Sequence, residues 1–305
     1  MTIPLGLFSW IPPSAAHFIY NVMLKPSPLR RAAQIGIKRM IPATLDFRGT
    51  RLVMNREDAV ICGSLTLGCY ENFFTQLLEA LLEPGMTFLD VGANIGVYTA
   101  LAARLVGPAG KVIAIEPFPD NVALMRETLA LNGFENVTIA ALAASDRAGE
   151  ASLYLSGDNH GDHRLCDHSR TRRAVTVQTQ TLDVLAQENG VARADVIKID
   201  TQGSEAAVFA GMCNLMSAKP APIILTEFWP WGLRQTGKDP RAFLEEIIAA
   251  GYAIYHIDGD QRALVLRNDV SPLLRLKRES QYTELLLSQD GATVEALNAK
   301  LTRSR

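Results

Sequence analysis

Cysteine is scarce in this chain. The four cysteines among 305 residues, Cys62, Cys69, Cys166 and Cys213, stand at spacings that make neither a disulfide framework nor a metal knuckle, the usage expected of a reducing cytoplasm. Net charge is nearly absent as well: thirty basic residues against thirty-two acidic ones leave −2. No basic excess marks a nucleic-acid backbone as partner. Internal repeats and low-complexity segments are missing too. With 48% hydrophobic and 20% charged residues, the composition excludes a disordered, collagenous or disulfide-stapled chain.

The N-terminus lacks charge: Met1 to Leu24 holds no Lys, Arg, Asp or Glu. It still makes a poor membrane span, because Pro4, Pro12 and Pro13 interrupt any helix and neither a basic n-region nor a small-residue cleavage site flanks the apolar stretch. Lys25, Arg30, Arg31, Lys38 and Arg39 follow among apolar residues. That pattern fits a subdomain packed on the core or contact with an anionic membrane surface.

From about Met86 short apolar runs alternate with helical patterns, as in βαβ units of a parallel sheet. The runs are Phe88 to Val91, Val112 to Ile115, Val137 to Leu142, Val196 to Ile199 and Ile223 to Phe228, each apolar enough to be covered on both faces. Val97, Leu101 and Leu105 form one helical stripe, ended by Gly107 and Pro108; Val122, Met125 and Leu129 form another, opened by Pro119 and capped by Gly133. Asp239 and Pro240 open a third helix. Ahead of these, Thr44 to Met54 reads as a hairpin turning near Arg48 and Gly49, and Asn72 to Leu82 as a helix ended by Pro84 and Gly85. Two strand-like stretches, Ala151 to Leu155 and Val175 to Thr179, flank a polar loop holding Asp158, Asn159, His160, Asp162, His163, Arg164, Asp167 and His168. A loop of that length usually carries function, and this one is expected to be mobile and to control acceptor entry. After Tyr252 to Ile257, periodicity prefers a hairpin through Asp258 and Gly259 into Ala263 to Leu266, with Tyr282 to Leu287 as the alternative last strand.

The chemistry concentrates in Phe88-Leu89-Asp90-Val91-Gly92-Ala93-Asn94-Ile95-Gly96, a strand running through a glycine turn into a helix. A dinucleotide site wants a second Gly two residues after the first, so that the backbone approaches a pyrophosphate. Here Asn94 holds that position and Asp90 ends the strand. A carboxylate repels a pyrophosphate, whereas it favours the ammonium and sulfonium charges of S-adenosylmethionine. Glu116, ending the next strand, is placed to accept from two ribose hydroxyls. Asp146 is placed for the adenine amino group, with backbone N–H groups near Ala144 for a ring nitrogen, though Asp146 also reads as a turn residue before Gly149.

Together these residues resemble the FkbM family of S-adenosylmethionine-dependent methyltransferases. The resemblance rests on Tyr70-Glu71, on Phe88 through Gly96, on Glu116-Pro117-Phe118-Pro119 with Asn121, on Thr181-Leu182-Asp183, on Ile197-Lys198-Ile199-Asp200 with Gly203 and Glu205, and on Thr283-Glu284-Leu285-Leu286. It implies a class I, Rossmann-like α/β fold: a seven-stranded, mostly parallel sheet with helices on both faces and an antiparallel last strand at Tyr282 to Leu287, preceded by an N-terminal extension. The divisions are an extension at 1–69, the methyltransferase domain at 70–290 and a helical tail at 291–305. The implied activity is methylation of a hydroxyl on a sugar, glycan or natural product. The implied cofactor set is Glu71, Asp90, Gly92, Asn94, Gly96, Glu116, Asn121, Ala144 and Asp146. Gln202 and Glu284 depart from the family's usual acid and Asn at those positions.

For the transfer itself, Asp200 ends the fourth parallel strand, where ligands sit in open α/β sheets, and can act as general base, hydroxyl acceptor or metal ligand, or merely cap a helix from Thr201 to Ala210. Glu205 and His163 are further catalytic candidates, Glu205 reading alternatively as a helix residue that holds the loop, and Lys198 is expected to pair with a neighbouring carboxylate. The His and Asp residues of the polar loop lack metal-site spacing, so no metal site is assigned, although Asp200 with Glu227 leaves a divalent cation open. Arg164, Arg170, Arg172 and Arg173 could hold an anionic substrate such as a sugar phosphate. Phe228, Trp229 and Trp231 offer rings for a sugar face or serve the core. A small-molecule or glycan acceptor is therefore expected, with no nucleic acid. Two rivals stay open: a non-catalytic binding module, and a methyltransferase acting on an amine or nucleobase. The second lacks the proline-rich, aromatic segment that holds a flipped base, since the chain reads Asp200-Thr201-Gln202-Gly203.

Overall fold

The computed structural model describes residues 27–303 except 69, 71, 157–160 and 168–170. In chain order, α1 (Ser27–Met40) leads to the hairpin β1 (Thr44–Phe47) and β2 (Thr50–Val53), then α2 (Ile61–Thr66) and α3 (Asn72–Leu81). The alternating region follows as β3 (Thr87–Val91), α4 (Val97–Val106), β4 (Lys111–Ile115), α5 (Pro119–Asn132) and β5 (Val137–Ala140). An insertion holds β6 (Ala143–Ala144), β7 (Gly149–Tyr154) and β8 (Ala174–Gln180), followed by α6 (Leu182–Glu188). The chain then returns through β9 (Val196–Ile199), α7 (Glu205–Ala210), α8 (Cys213–Ser217), β10 (Ile223–Phe228), α9 (Pro230–Gln235) and α10 (Pro240–Ala249). It closes with β11 (Ala253–Asp258), β12 (Ala263–Leu266), β13 (Thr283–Ser288) and α11 (Gly291–Arg303).

The main sheet runs β12-β11-β13-β10-β9-β3-β4-β5, with β10, β9, β3, β4 and β5 parallel and β13 antiparallel to both its neighbours. This is the class I arrangement with one more strand than the seven expected. Both candidate last strands form: β13 inserts between β10 and β11, while β12 pairs with β11 as the edge hairpin. Strand alternation divides the core. Phe88, Val112, Val196 and Leu225 pack against α3, α4 and α11 on one face, and Leu89, Ile113, Ile197 and Ile224 pack against α6, α8 and α10 on the other. Each such fully buried side chain contributes about 1.5–3 kcal/mol. The antiparallel pair β7–β8 with β6 makes a separate three-stranded sheet.

Register decides where the chemistry falls. Val91 is level with Ile115 of β4 and with Ile199 of β9. Gly92, Glu116 and Asp200 therefore each stand one residue beyond the same edge of the sheet. Gly92 has φ +76°, and a Cβ there would lie 1.9 Å from the Asp200 carbonyl oxygen. That collision allows no side chain, so Gly92→Ala would separate the ends of β3 and β9. The N-terminal extension braces the same region: Ile41, Leu52, Met54, Cys62 and Leu65 cluster with Ile95, Val97 and Ala100 at the start of α4.

Candidate functional site

An open cleft with about 830 Å³ of free space, its mouth included, lies over the ends of β3, β4 and β9. Its floor is the turn Gly92–Asn94, and Glu116, Asn121, Ala144, His163, Lys198, Asp200 and Gln202 line it. Ile61 and Tyr70 of the extension and Leu153 and Leu165 of the insertion complete its walls. Of these four only Tyr70 belongs to a noted motif, Tyr70-Glu71; the fold brings them together from segments far apart in sequence.

At one end Glu116 is almost fully buried. Its Oε2 accepts from the Asn94 N–H at 2.9 Å, and its Oε1 from the Phe118 N–H at 2.9 Å and from Asn121 Nδ2 at 3.4 Å. Asn94 can aim its N–H there because its backbone is left-handed, with φ 52°. Burial pushes the Glu116 carboxyl up to about 7, against the pull of those three donors. Asn121 is buried beside it, and its Oδ1 accepts no hydrogen bond among the described residues. An unsatisfied buried acceptor is costly, so this end is built to receive donors.

Asp90 sits beneath the cleft instead of on it. The carboxylate is fully buried, accepts from the Thr99 hydroxyl at 2.6 Å and faces Lys198 Nζ at 3.6 Å. Thr99 is a partner the sequence does not flag, nine residues away on α4. Lys198 pairs with neighbouring carboxylates as expected, and with two of them: Asp200 Oδ2 lies 3.7 Å from the same ammonium. The Tyr98 ring lies 5.5 Å from that ammonium. Gly96 is likewise off the cleft. With φ +85° it caps α4, and a Cβ would stand 2.6 Å from Met125 Cγ, so its smallness serves helix packing.

At the other end Asp200 keeps 39% of its side chain exposed. It caps no helix. The expected helix from Thr201 begins only at Glu205, with Ser204 before it, because Gln202 (φ 52°) and Gly203 (φ 101°) turn the chain through left-handed backbone. Gln202 Nε2 donates to Asp200 Oδ1 at 2.8 Å and to Glu227 Oε2 at 3.2 Å, so one amide spans both carboxylates. Glu205 takes its loop-holding reading and not the catalytic one. Its carboxylate is fully buried behind the turn and accepts from the Thr201 N–H, the Thr201 hydroxyl and the Gly203 N–H at 3.0–3.1 Å. Burial raises its pKa above the ordinary carboxylate range. It is not on the cleft, and what it does is hold the Asp200 turn in shape.

Asp146 lies outside the cleft as well: its side chain is 45% exposed, accepts from Ser145 and faces Arg147 at 3.8 Å. Ala144 is buried on the cleft wall. His163 lines the cleft with its ring edge-on to Phe118, and its Nδ1 accepts the Ser156 N–H at 3.1 Å. A backbone N–H can only donate, so Nδ1 is the accepting nitrogen of this ring and Nε2 is the one turned to the other side. Glu71, Asp158, Asn159, His160, His168 and Arg170 lie outside the described residues, as does the segment before Ser27.

The described part of the polar loop is anchored. Asp162 pairs with both Arg164 and Arg172, Arg164 reaches Glu279 at 3.2 Å, and its guanidinium lies 4.4 Å from the Trp229 ring centroid. Trp229 is buried and donates its indole N–H to the Glu279 carbonyl at 2.8 Å, a bracing role. Among the described residues no cluster of three His, Cys, Asp or Glu could hold a metal, and no helix is long and apolar enough to cross a membrane.

Residues 90–253, more than half of the chain, match the methyltransferase FkbM domain. The 2-O-methyltransferase NoeI of Sinorhizobium fredii is 28% identical over 152 residues, 45% of this chain and 61% of that protein. A protein-L-isoaspartate O-methyltransferase of Triticum aestivum is 37% identical over 86 residues, 28% of this chain and 34% of that protein. The chain thus spans about a third to three-fifths of the length of these curated relatives. Among solved structures, an O-methyltransferase from Bacillus cereus in complex with SAH superposes with a TM-score of 0.43 at 16% identity, covering 90% of this chain and 97% of that one.

Proposed function

The chain belongs to the FkbM methyltransferase family, and from that premise we propose that it transfers a methyl group from S-adenosylmethionine to a hydroxyl of a sugar, glycan or related natural product. One observation carries the reading: the cleft offers acceptors at both ends, Glu116 with Asn121 at one and Asp200 at the other, and its single Lys or Arg among the described lining residues is already paired. Ribose hydroxyls are donors and suit the first end, whereas a pyrophosphate would lie between the Glu116 and Asp200 carboxylates with the lining lysine already paired. Bound there, S-adenosylmethionine supplies an electrophilic methyl on a cationic sulfur.

The chain's own residues do the rest. Glu116, Asn121 and the Asn94 turn hold the nucleoside hydroxyls. Asp200 Oδ1, which now accepts from Gln202, takes or shares the proton of the acceptor hydroxyl, a contribution of roughly 10²–10⁴ in rate for a positioned base. Lys198 holds the carboxylate from its other oxygen, and Glu205 fixes the turn behind it. The Gln202 amide already donates to Asp200 and Glu227, so the scheme routes no step through a cation. A carboxylate acceptor, as in isoaspartate methylation, would be repelled by Asp200. An intact acid at the reaction end also favours an enzyme over a binding module. The test is transfer of labelled methyl from S-adenosylmethionine to a glycan pool: an alkali-stable ether product supports the reading, and an alkali-labile ester or an N-methyl product contradicts it.

A further inference from the structure

A second cavity, with about 800 Å³ of free space including its mouth, opens on the far side of Gln202. Gln202 is the one described residue lining both spaces. The wall between them is rigidly held. Gly203 sits against Gly232 so closely that a Cβ would lie 3.0 Å from the Gly232 Cα, and Thr236 donates to the Gly203 carbonyl at 3.2 Å. A Cβ on Gly232 would fall 2.0 Å from the Trp229 ring, so both glycines are needed for this seam.

The walls of the second cavity are hydroxyls, amides, ring surface and paired charge. Half-buried Trp231 contributes indole surface, tilted 36° to Trp229 with centroids 5.2 Å apart. Thr171, Gln235 and Thr236 add polar groups that donate and accept. The two described arginines, Arg164 and Arg172, do not offer free charge. Arg164 pairs with Asp162 and Glu279, Arg172 pairs with Asp162 at 2.7 Å, and Asp167 Oδ2 accepts the Arg172 backbone N–H at 3.2 Å. Two carboxylates, Asp162 and Glu279, thus hold the two guanidiniums while Asp167 adds an acid on a backbone N–H, and an incoming phosphate or uronate would compete with acids already in place. A hydroxyl-rich ring without charge meets complementary donors, acceptors and a ring face.

We propose that this second cavity seats the acceptor as a neutral glycosyl ring stacked on Trp231, with one hydroxyl reaching past Gln202 to replace its amide on Asp200 Oδ1. The juxtaposition behind this is a neutralised, aromatic-walled cavity joined to Asp200 through one displaceable side chain. It rests on the reading of the first cleft as the methyl-donor site and narrows the acceptor from any sugar to an uncharged one.

Saturation-transfer NMR on the full chain tests it, with and without saturating S-adenosylhomocysteine. The neutral probes are methyl α-D-glucopyranoside, methyl α-D-galactopyranoside and methyl α-L-fucopyranoside; the anionic probes are glucose 1-phosphate and methyl β-D-glucuronoside. At least one neutral glycoside is expected to receive saturation more strongly than either anionic probe. Trp231→Ala is expected to weaken that binding about fivefold to tenfold while leaving S-adenosylhomocysteine affinity unchanged. Preference for an anionic probe, binding indifferent to Trp231→Ala, or no neutral binding while S-adenosylhomocysteine binds would each overturn the proposal. Failure of S-adenosylhomocysteine itself to bind defeats the donor-site reading instead.

Discussion

The two ends of the main cleft hold carboxylates in opposite ways. Glu116 is almost fully buried and its oxygens accept from backbone N–H groups and an amide within a few residues of two strand ends. Asp200 is 39% exposed and is held by Lys198 on one oxygen and by the Gln202 amide on the other. Burial with hydrogen bonds makes a fixed receptor. Partial exposure with one displaceable partner leaves an oxygen that an incoming group can claim. On the proposed function, the contrast sets recognition at one end of the cleft and reaction at the other.

The harshest way to break that division is to remove Lys198, which serves Asp200 while neutralising Asp90 below it. Lys198→Met leaves Asp90 buried and unpaired, and the fold is expected to lose about 3–5 kcal/mol, read from denaturant midpoints. An unchanged midpoint would mean the ammonium serves the reaction end alone. Next in size, Asp200→Asn keeps the shape and removes the proton acceptor. Turnover is expected to fall about 100-fold or more with little change in S-adenosylhomocysteine affinity. Near wild-type turnover would move the reaction to another group.

A smaller effect sharpens the other end. The Glu116 carboxyl rises from 4.5 to about 7 on folding, so the free protein gives up stability as pH climbs between those values and none further above. Hydroxyl donors favour the ionised form. Affinity for S-adenosylhomocysteine is therefore expected to rise roughly threefold to tenfold from about pH 6 to 8 and then level off, with Glu116→Gln flattening the profile. A flat wild-type profile in calorimetric titrations at matched ionic strength would show that Glu116 is not a ligand.

The same contrast explains what the sequence could tell. The parallel strands, the glycine turn and Glu116 are legible because a strand, a turn and a helix N-terminus are local, and register alone sets Glu116 beside Gly92. Local pattern misleads where a residue's neighbour comes from elsewhere. Gly96 reads as part of the cofactor set, yet its missing Cβ serves the Met125 side chain, and Gly92, which does floor the cleft, is held to glycine by the Asp200 carbonyl. Asp90 reads as a cleft residue, yet Thr99 and Lys198 bury it. The second cavity and the turn beside it draw on residues 161–167, 171–172, 200–204, 227–236 and 279, which no single window contains, so Gln202 reads as a departure from a pattern before the fold reveals an amide joining two carboxylates. The edge strand β12 and its hairpin with β11 are legible as periodicity, whereas the insertion of β13 between β10 and β11 joins strands far apart in sequence.

The claim on which the rest depends is that Glu116 and Asn121 receive a nucleoside without a pyrophosphate. Isothermal titration of the wild-type chain and of Glu116→Ala with S-adenosylhomocysteine, alongside NAD, tests it directly. The account predicts binding of S-adenosylhomocysteine, weakened about tenfold to a hundredfold by the substitution, and no heat from NAD. Clear NAD binding with no response to S-adenosylhomocysteine would contradict it.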